Sequence, residues 1–148
     1  MSWARRLAAL CGLATLTGFG ACAAPEERVE LRLAERTIEV ELARTPDQLM
    51  TGLMHRARLD ADAGMLFVFG YDGRHCMWMK NTLIPLSAAF IDRAGRVVSI
   101  SEMIPGSLKL HCPPGPVYFV LEMNAGWFTR QGVRPGMTVE GAAGLAGG

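Results

Sequence analysis

Short apolar runs, each of strand length and separated by turn-forming residues, constrain the fold of this chain more than any other feature of its sequence. Residues 29–33 and 38–42 alternate apolar and charged side chains, which predicts two strands that each bury one face. The connection between them is short enough for a hairpin. Residues 65–69 are apolar throughout, which predicts a strand buried on both faces. The same criteria place further strands at 76–79, 86–91, 97–103, 117–123 and 137–139.

One helix carries the residues of a capped start. Thr45 is predicted as its N-cap, Pro46 takes the first helical position, and Gln48 completes a capping box. The apolar residues that follow lie on one stripe and extend the predicted helix to about Met54. A second, shorter helical turn is predicted at 127–131.

Together these elements predict a β-rich α+β fold, a small, mostly antiparallel barrel or rolled sheet with one capped helix. The chain has 148 residues, of which 50% are apolar, and this is enough for one core. We therefore assign a single globular domain to residues 29–140. The small-residue segment 141–148 is predicted to be a disordered tail.

The N-terminus has the features of an export signal. Arg5 and Arg6 precede a charge-free apolar run that is too short and too glycine-interrupted to span a membrane. Residues 1–21 are therefore predicted to be a signal peptide. Cleavage either before Cys22 or after Ala23 fits the small residues at this point.

The two cleavage positions predict different attachments of the domain. Lipidation of Cys22 would make residues 22–28 a leash to a membrane, whereas cleavage after it would leave the domain soluble. Both routes place the protein in the periplasm or outer envelope of a bacterium. Removal of residues 1–21 takes away two arginines and changes the formal net charge from +1 to −1. Because no basic stripe remains, we expect no nucleic-acid partner, and membrane contact only through the lipid anchor.

The cysteine count predicts a disulfide. Cys11 is lost with the signal peptide and Cys22 is either acylated or removed, so the folded domain keeps Cys76 and Cys112. An even pair of cysteines in an oxidising compartment is expected to be bonded. Whether the two residues approach within bonding distance is decided by the fold.

Four blocks of the sequence resemble the signature of a known family, in its order and spacing. They are Gly52-Leu53-Met54, Gly64-Met65-Leu66-Phe67-Val68-Phe69, Trp78-Met79-Lys80-Asn81-Thr82-Leu83-Ile84-Pro85-Leu86 and Val120-Leu121-Glu122. The family is domain of unknown function 192, and the resemblance spans residues 29–139. It implies a widespread, often exported, single-domain protein with a β-rich fold and no established activity. Many relatives carry an acidic residue where this chain has Ser87, which weakens any proposal of a catalytic carboxylate there.

A polar group inside the third block is the first candidate site, and it consists of Trp78, Lys80, Asn81 and Thr82. The indole could offer a stacking face while its polar neighbours supply donors and an acceptor to a small polar ligand or an envelope protein. The alternative is local, because Asn81 and Thr82 could instead satisfy backbone groups at a bend before Pro85. No cofactor is implied.

Two identical dipeptides suggest an alternative metal site. A soft ion, copper or zinc, could be held by His75, Cys76, His111 and Cys112. Met77 and Met79 lie two residues apart on one predicted strand face and would suit copper. The disulfide is preferred, because neighbouring residues of a strand point to opposite faces and because export favours oxidation.

The sequence contains no complete catalytic constellation. The three histidines lie in separate segments, and no nucleophile elbow, His-Glu-x-x-His motif or phosphate loop is present. Glu122 lies inside an apolar strand, where it could be a buried carboxyl group with a raised pKa, pair with an arginine such as Arg56, or face solvent. A hydrolase built on Glu122 is a third hypothesis. The favoured interpretation is a non-catalytic binding or accessory module of the envelope.

Overall fold

The computed structural model describes residues 26–147. The predicted signal peptide, the lipidation position Cys22 and most of the leash 22–28 lie outside the described residues. The strands are β1 Arg28–Leu33, β2 Arg36–Ala43, β3 Gly64–Gly73, β4 Leu86–Ile91, β5 Val97–Met103, β6 Val117–Asn124 and β7 Val139–Glu140. The helices are α1 Pro46–Thr51 and α2 Trp127–Arg130, with a final 3-10 turn at Ala143–Gly147.

The seven strands form one mixed sheet that curves into a half-barrel, with the order β5-β4-β6-β3-β2-β1-β7. All neighbouring pairs are antiparallel except β2 and β3, which run parallel. The segment before β7 also bonds to the start of β5, since Val97 donates to the Met137 carbonyl and Val139 to the Gly95 carbonyl. The predicted mostly antiparallel, rolled β-rich fold is confirmed.

The sheet separates two hydrophobic clusters, and β6 contributes to both because it is buried on both faces. Phe119 and Leu121 enter the first cluster, which α2 closes with Trp127. Val120 enters the second cluster, which packs beneath α1. In the part of the chain that is described, no helix has the length and apolar character needed to cross a membrane.

Helix α1 begins as the sequence predicts. Thr45 Oγ1 accepts a hydrogen bond from the Gln48 amide at 3.3 Å, and the Gln48 side chain accepts one from the Thr45 amide at 3.0 Å. The helix ends earlier than predicted, at Thr51 rather than near Met54. The next residue, Gly52, has a φ of 47°, a backbone conformation that disfavours side chains and stops the helix.

Replacing Thr45 with alanine is expected to lower the free energy of unfolding by about 1 kcal/mol, because the Gln48 amide at the start of α1 loses its hydrogen-bond acceptor. The urea concentration at the midpoint of unfolding should fall, while the dependence of the free energy of unfolding on urea concentration stays unchanged. Thr51→Ala is the matched control, since this exposed residue at the end of α1 makes no cap. Equal losses in both variants would show that the capping box does not stabilise the protein.

Two sequence predictions about individual segments are wrong. Residues 76–79 form no strand but a single bridge between Met77 and His111. The predicted disordered tail 141–148 is instead ordered up to residue 147, because Ala142 is fully buried and the Ala146 carbonyl accepts a hydrogen bond from Tyr118 Oη at 3.3 Å.

Candidate functional site

The two remaining cysteines are bonded to each other. The sulfur atoms of Cys76 and Cys112 lie 2.08 Å apart, so the predicted disulfide is confirmed. The bond closes one end of a two-segment projection that extends from the β4–β5 hairpin. We call this projection, residues 76–85 and 104–112, the stapled lobe.

The alternative soft-metal site is not formed by its four predicted ligands. Both sulfur atoms are used in the disulfide, and the His75 ring stacks on Phe69 with 3.8 Å between ring centroids. Burial lowers the pKa of His111, and the nearby Lys109 acts in the same direction. Residues 26–147 contain no group of three or more histidine, cysteine, aspartate or glutamate side chains that could hold an ion. The prediction of a metal site formed by His75, Cys76, His111 and Cys112 is therefore wrong.

Backbone hydrogen bonds hold the stapled lobe together along its length. Met77 and His111 exchange two bonds of 2.8 Å, Met79 donates to the Ser107 carbonyl, and Gly106 donates to the Thr82 carbonyl. The lobe is therefore a braced structure rather than a free loop.

The three polar residues Lys80, Asn81 and Thr82 lie in a turn of the stapled lobe, and two of them support its backbone. Asn81 has a φ of 55°, and its carbonyl accepts a hydrogen bond from the His55 amide at 2.9 Å. Thr82 is buried, and its hydroxyl donates to the Lys80 carbonyl at 3.3 Å. Lys80 is exposed, and its Nζ lies 5.3 Å from the centre of the Trp78 ring. The structure thus brings Lys80 to Trp78, whereas Asn81 and Thr82 support the backbone.

Trp78 and Thr82 also line a narrow pocket that contains Glu122. The pocket has a volume of about 30 Å³, roughly the space of one water molecule. Its remaining walls come from α1, β3 and the lobe, and include Leu49, Met50, Leu53, Met54, Phe67 and Met77. The site therefore consists of one carboxyl group among apolar side chains and two threonines, Thr51 and Thr82.

Strand β6 places Glu122 in the centre of the sheet, opposite Met65 on β3 and Ala88 on β4. The residue is only 4% exposed, and within residues 26–147 no group donates a hydrogen bond to its carboxyl group. Burial raises the pKa of Glu122 to about 8. The sequence correctly offered a buried carboxyl group as one interpretation, and the alternatives of an arginine partner and of solvent exposure are wrong.

Arg56 pairs instead with Glu41. Its Nη1 and Nη2 atoms lie 2.6 and 2.5 Å from the two carboxylate oxygens, a bidentate ion pair. Glu41 is buried, although its place in an alternating strand predicted a solvent-facing side chain. Sequence reasoning missed this pair because nothing in the local pattern brings residue 56 to β2.

The ion pair lies in a second, wider cleft of about 340 Å³ beside α1. Both cavities are lined by Thr51, Gly52 and Met54. The charged groups of the wider cleft are Glu26, Glu41, Asp47 and Arg56. Arg28 Nη2 also lies 3.8 Å from the Glu41 carboxylate, so Glu41 is paired with two arginines.

Ser87 stands where the family resemblance predicts an acidic residue, and an acidic residue faces it from the neighbouring strand. Ser87 is fully buried, and its Oγ donates to Glu102 at 2.6 Å from the directly opposite position on β5. The Gly126 amide donates to the same Oγ at 2.7 Å. This group joins two strands to the start of α2 and lies apart from the residues that line the Glu122 pocket.

Comparison with known proteins identifies relatives of established structure. A crystal structure of a Sinorhizobium meliloti 1021 protein, which carries the provisional name of a transcription regulator, is 41% identical with a TM-score of 0.75. The match covers 84% of this chain and 99% of that one. A protein of unknown function from Novosphingobium aromaticivorans DSM 12444 is 32% identical, also with a TM-score of 0.75, over 86% of this chain and 99% of its own. No curated protein matches the chain.

The sequence resemblance noted above is confirmed across the domain. The model of the DUF192 family, described as "Uncharacterized ACR", matches residues 29–141. This range includes every strand from β2 to β7, the pocket around Glu122 and the stapled lobe. The chain therefore belongs to the DUF192 family.

Proposed function

We propose that this protein is an exported, non-catalytic binding module of the bacterial envelope, and that its pocket receives the ammonium head of a small ligand. One observation carries this proposal. Glu122 is a buried carboxyl group with no hydrogen-bond donor from residues 26–147, and it lies in a pocket that Trp78 helps to line. The Glu122 oxygens are not among the fully enclosed unpaired atoms, so water or the charged head of a ligand can reach them from the pocket.

The chemistry of the pocket favours a cation. An ammonium group beside Glu122 would stabilise the ionised carboxylate, so the neutral carboxyl group would release its proton to solvent on binding.

The size and composition of the pocket favour binding over turnover. A volume of about 30 Å³ holds a head group only, so the rest of the ligand lies outside. The lining residues include no histidine, no cysteine and no second carboxyl group beside Glu122. A lone carboxyl group lacks the partner that general acid and base catalysis requires.

The proposed location in the envelope is supported by the sequence and by the disulfide. Residues 1–21 have the pattern of a signal peptide, and structural disulfides persist in oxidising compartments. The formal charge of −1 after removal of the signal peptide does not favour a nucleic-acid partner. We therefore do not extend the provisional name of the Sinorhizobium relative to this chain.

The test measures thermal stabilisation by n-butylamine, with 1-butanol as the uncharged probe of the same length. We expect the ammonium cation, but not the alcohol, to raise the melting temperature. The effect should grow as the pH approaches 8, because Glu122 must lose its proton when the cation binds.

Glu122→Gln should abolish this stabilisation, whereas Glu30→Gln, which removes an exposed carboxylate from β1, should retain it. An equal rise in melting temperature with the Glu122→Gln variant, or with the alcohol, would overturn the proposal.

A further inference from the structure

The stapled lobe exposes most of the large apolar side chains that the protein does not bury. Seven such side chains are exposed within residues 26–147, and five of them are on the lobe. They are Trp78, Leu83, Ile104, Leu108 and Leu110, and all but the tryptophan are at least 59% exposed. A concentration of this kind on one projection marks a surface that contacts something apolar.

These side chains are not required for the core. Along the first segment of the lobe, Met77, Met79 and Ile84 point inward and belong to the second hydrophobic cluster. Trp78 and Leu83 alternate with them and are left outside. The lobe therefore has an inner face that anchors it and an outer face that is free to bind.

The charge of the lobe is of one sign. Residues 76–85 and 104–112 contain no aspartate or glutamate, although the chain has 14 acidic residues. Lys80 and Lys109 are the two lysines of the whole chain, and both are exposed on the lobe. Each lies one or two residues from an exposed apolar side chain.

We propose that the outer face of the stapled lobe docks on an anionic lipid bilayer. Tryptophan and aliphatic side chains at the tip of a projection can enter the boundary between headgroups and acyl chains. Lysines beside them complement the negative surface charge of the lipids. The disulfide and the cross-lobe hydrogen bonds hold these side chains in place before contact, which reduces the entropy lost on docking.

The experiment follows the fluorescence of Trp78 in the full-length, oxidised protein as brominated phosphatidylglycerol vesicles are added. Trp78→Phe identifies the signal that comes from Trp3 and Trp127. We expect the Trp78 signal to be quenched by phosphatidylglycerol and much less by brominated phosphatidylcholine. Since this readout reports contact of one side chain, it distinguishes docking of the lobe from tethering through the N-terminus.

Variants of the lobe then test each component. Replacement of Lys109 with glutamine should raise the lipid concentration for half-maximal quenching about fivefold, and Lys80→Gln should have a similar effect. The double variant Leu108→Ser/Leu110→Ser should raise it by more than about tenfold, and both leucines are exposed enough for the fold to survive.

The matched charge controls are Arg32→Gln and Arg134→Gln, two exposed cations outside the lobe, and these should change the titration little. Equal quenching by the two lipids, or equal effects of the lysine variants and the arginine controls, would overturn the proposal. So would protection of Trp78 by envelope proteins but not by vesicles, because this would identify a protein-binding surface.

Discussion

Replacing Glu122 with glutamine is expected to stabilise the protein by about 5 kcal/mol at pH 9 and to change its stability little at pH 4. Burial raises the pKa of Glu122 from 4.5, the ordinary value of a glutamate, to about 8. Between these values the unfolded chain is ionised while the folded protein keeps its proton, so unfolding releases a proton and stability falls as the pH rises. Above pH 8 the folded protein carries the full cost of a buried charge, which the amide avoids.

Urea titrations from pH 4 to pH 9 measure this difference. Other groups contribute to the profile of the native protein, since burial lowers the pKa of His111 and the hydrogen bond from Trp127 Nε1 lowers that of Asp62. Both make stability rise with pH, and both are retained in the variant, so subtracting the two profiles isolates Glu122. If the stability of the native protein and that of the Glu122→Gln variant changed with pH in the same way, Glu122 would be ionised and paired in the folded protein.

Removing the disulfide is expected to lower the free energy of unfolding by about 4 kcal/mol, because the bond closes a loop between residues 36 apart in sequence. The double variant Cys76→Ser/Cys112→Ser and the native protein in dithiothreitol should have the same urea midpoint. This midpoint should be lower than that of the oxidised native protein. Dithiothreitol should leave the variant unchanged, which controls for other effects of the reductant. A native midpoint that resists reduction would show that the bond does not contribute to stability.

The parts of the fold that local chemistry determines were predictable from the sequence. The capping box at Thr45 requires only neighbouring residues, and Gly132 ends the turn after α2 with the left-handed φ of 70° that glycine allows. The disulfide followed from the number of cysteines and from the predicted export signal. Alternation identified both strands of the first hairpin, because β1 and the first half of β2 each bury one face.

The parts that long-range contacts determine were not predictable. The segment 76–79 has an apolar strand pattern, yet Asn81 turns the chain soon after it and only one bridge forms. The tail is composed of small residues, and it is ordered only because Ala142 finds a place in the first cluster.

For the candidate site, the sequence identified Trp78 as a candidate binding residue. It also offered burial as one of several interpretations of Glu122. It could not show that they line the same pocket, because 43 positions separate them and α1 and β3 complete the walls. Nor could it show that Arg56 is taken by Glu41, which leaves Glu122 without a cation.

The one parallel pair of the sheet, β2 with β3, obliges the chain to cross from one end of the strands to the other, and residues 44–63 make this crossing with α1 inside it. Helix α1, which lines both cavities, is therefore part of this connection. The hydrogen bonds between β2 and β3 do not fix the length of the connection. Relatives that lengthen or shorten this connection can enlarge or close the cavities while every strand keeps its partner. We expect cavity size in the family to have evolved by insertion and deletion between β2 and β3, independently of the residues that hold the sheet together.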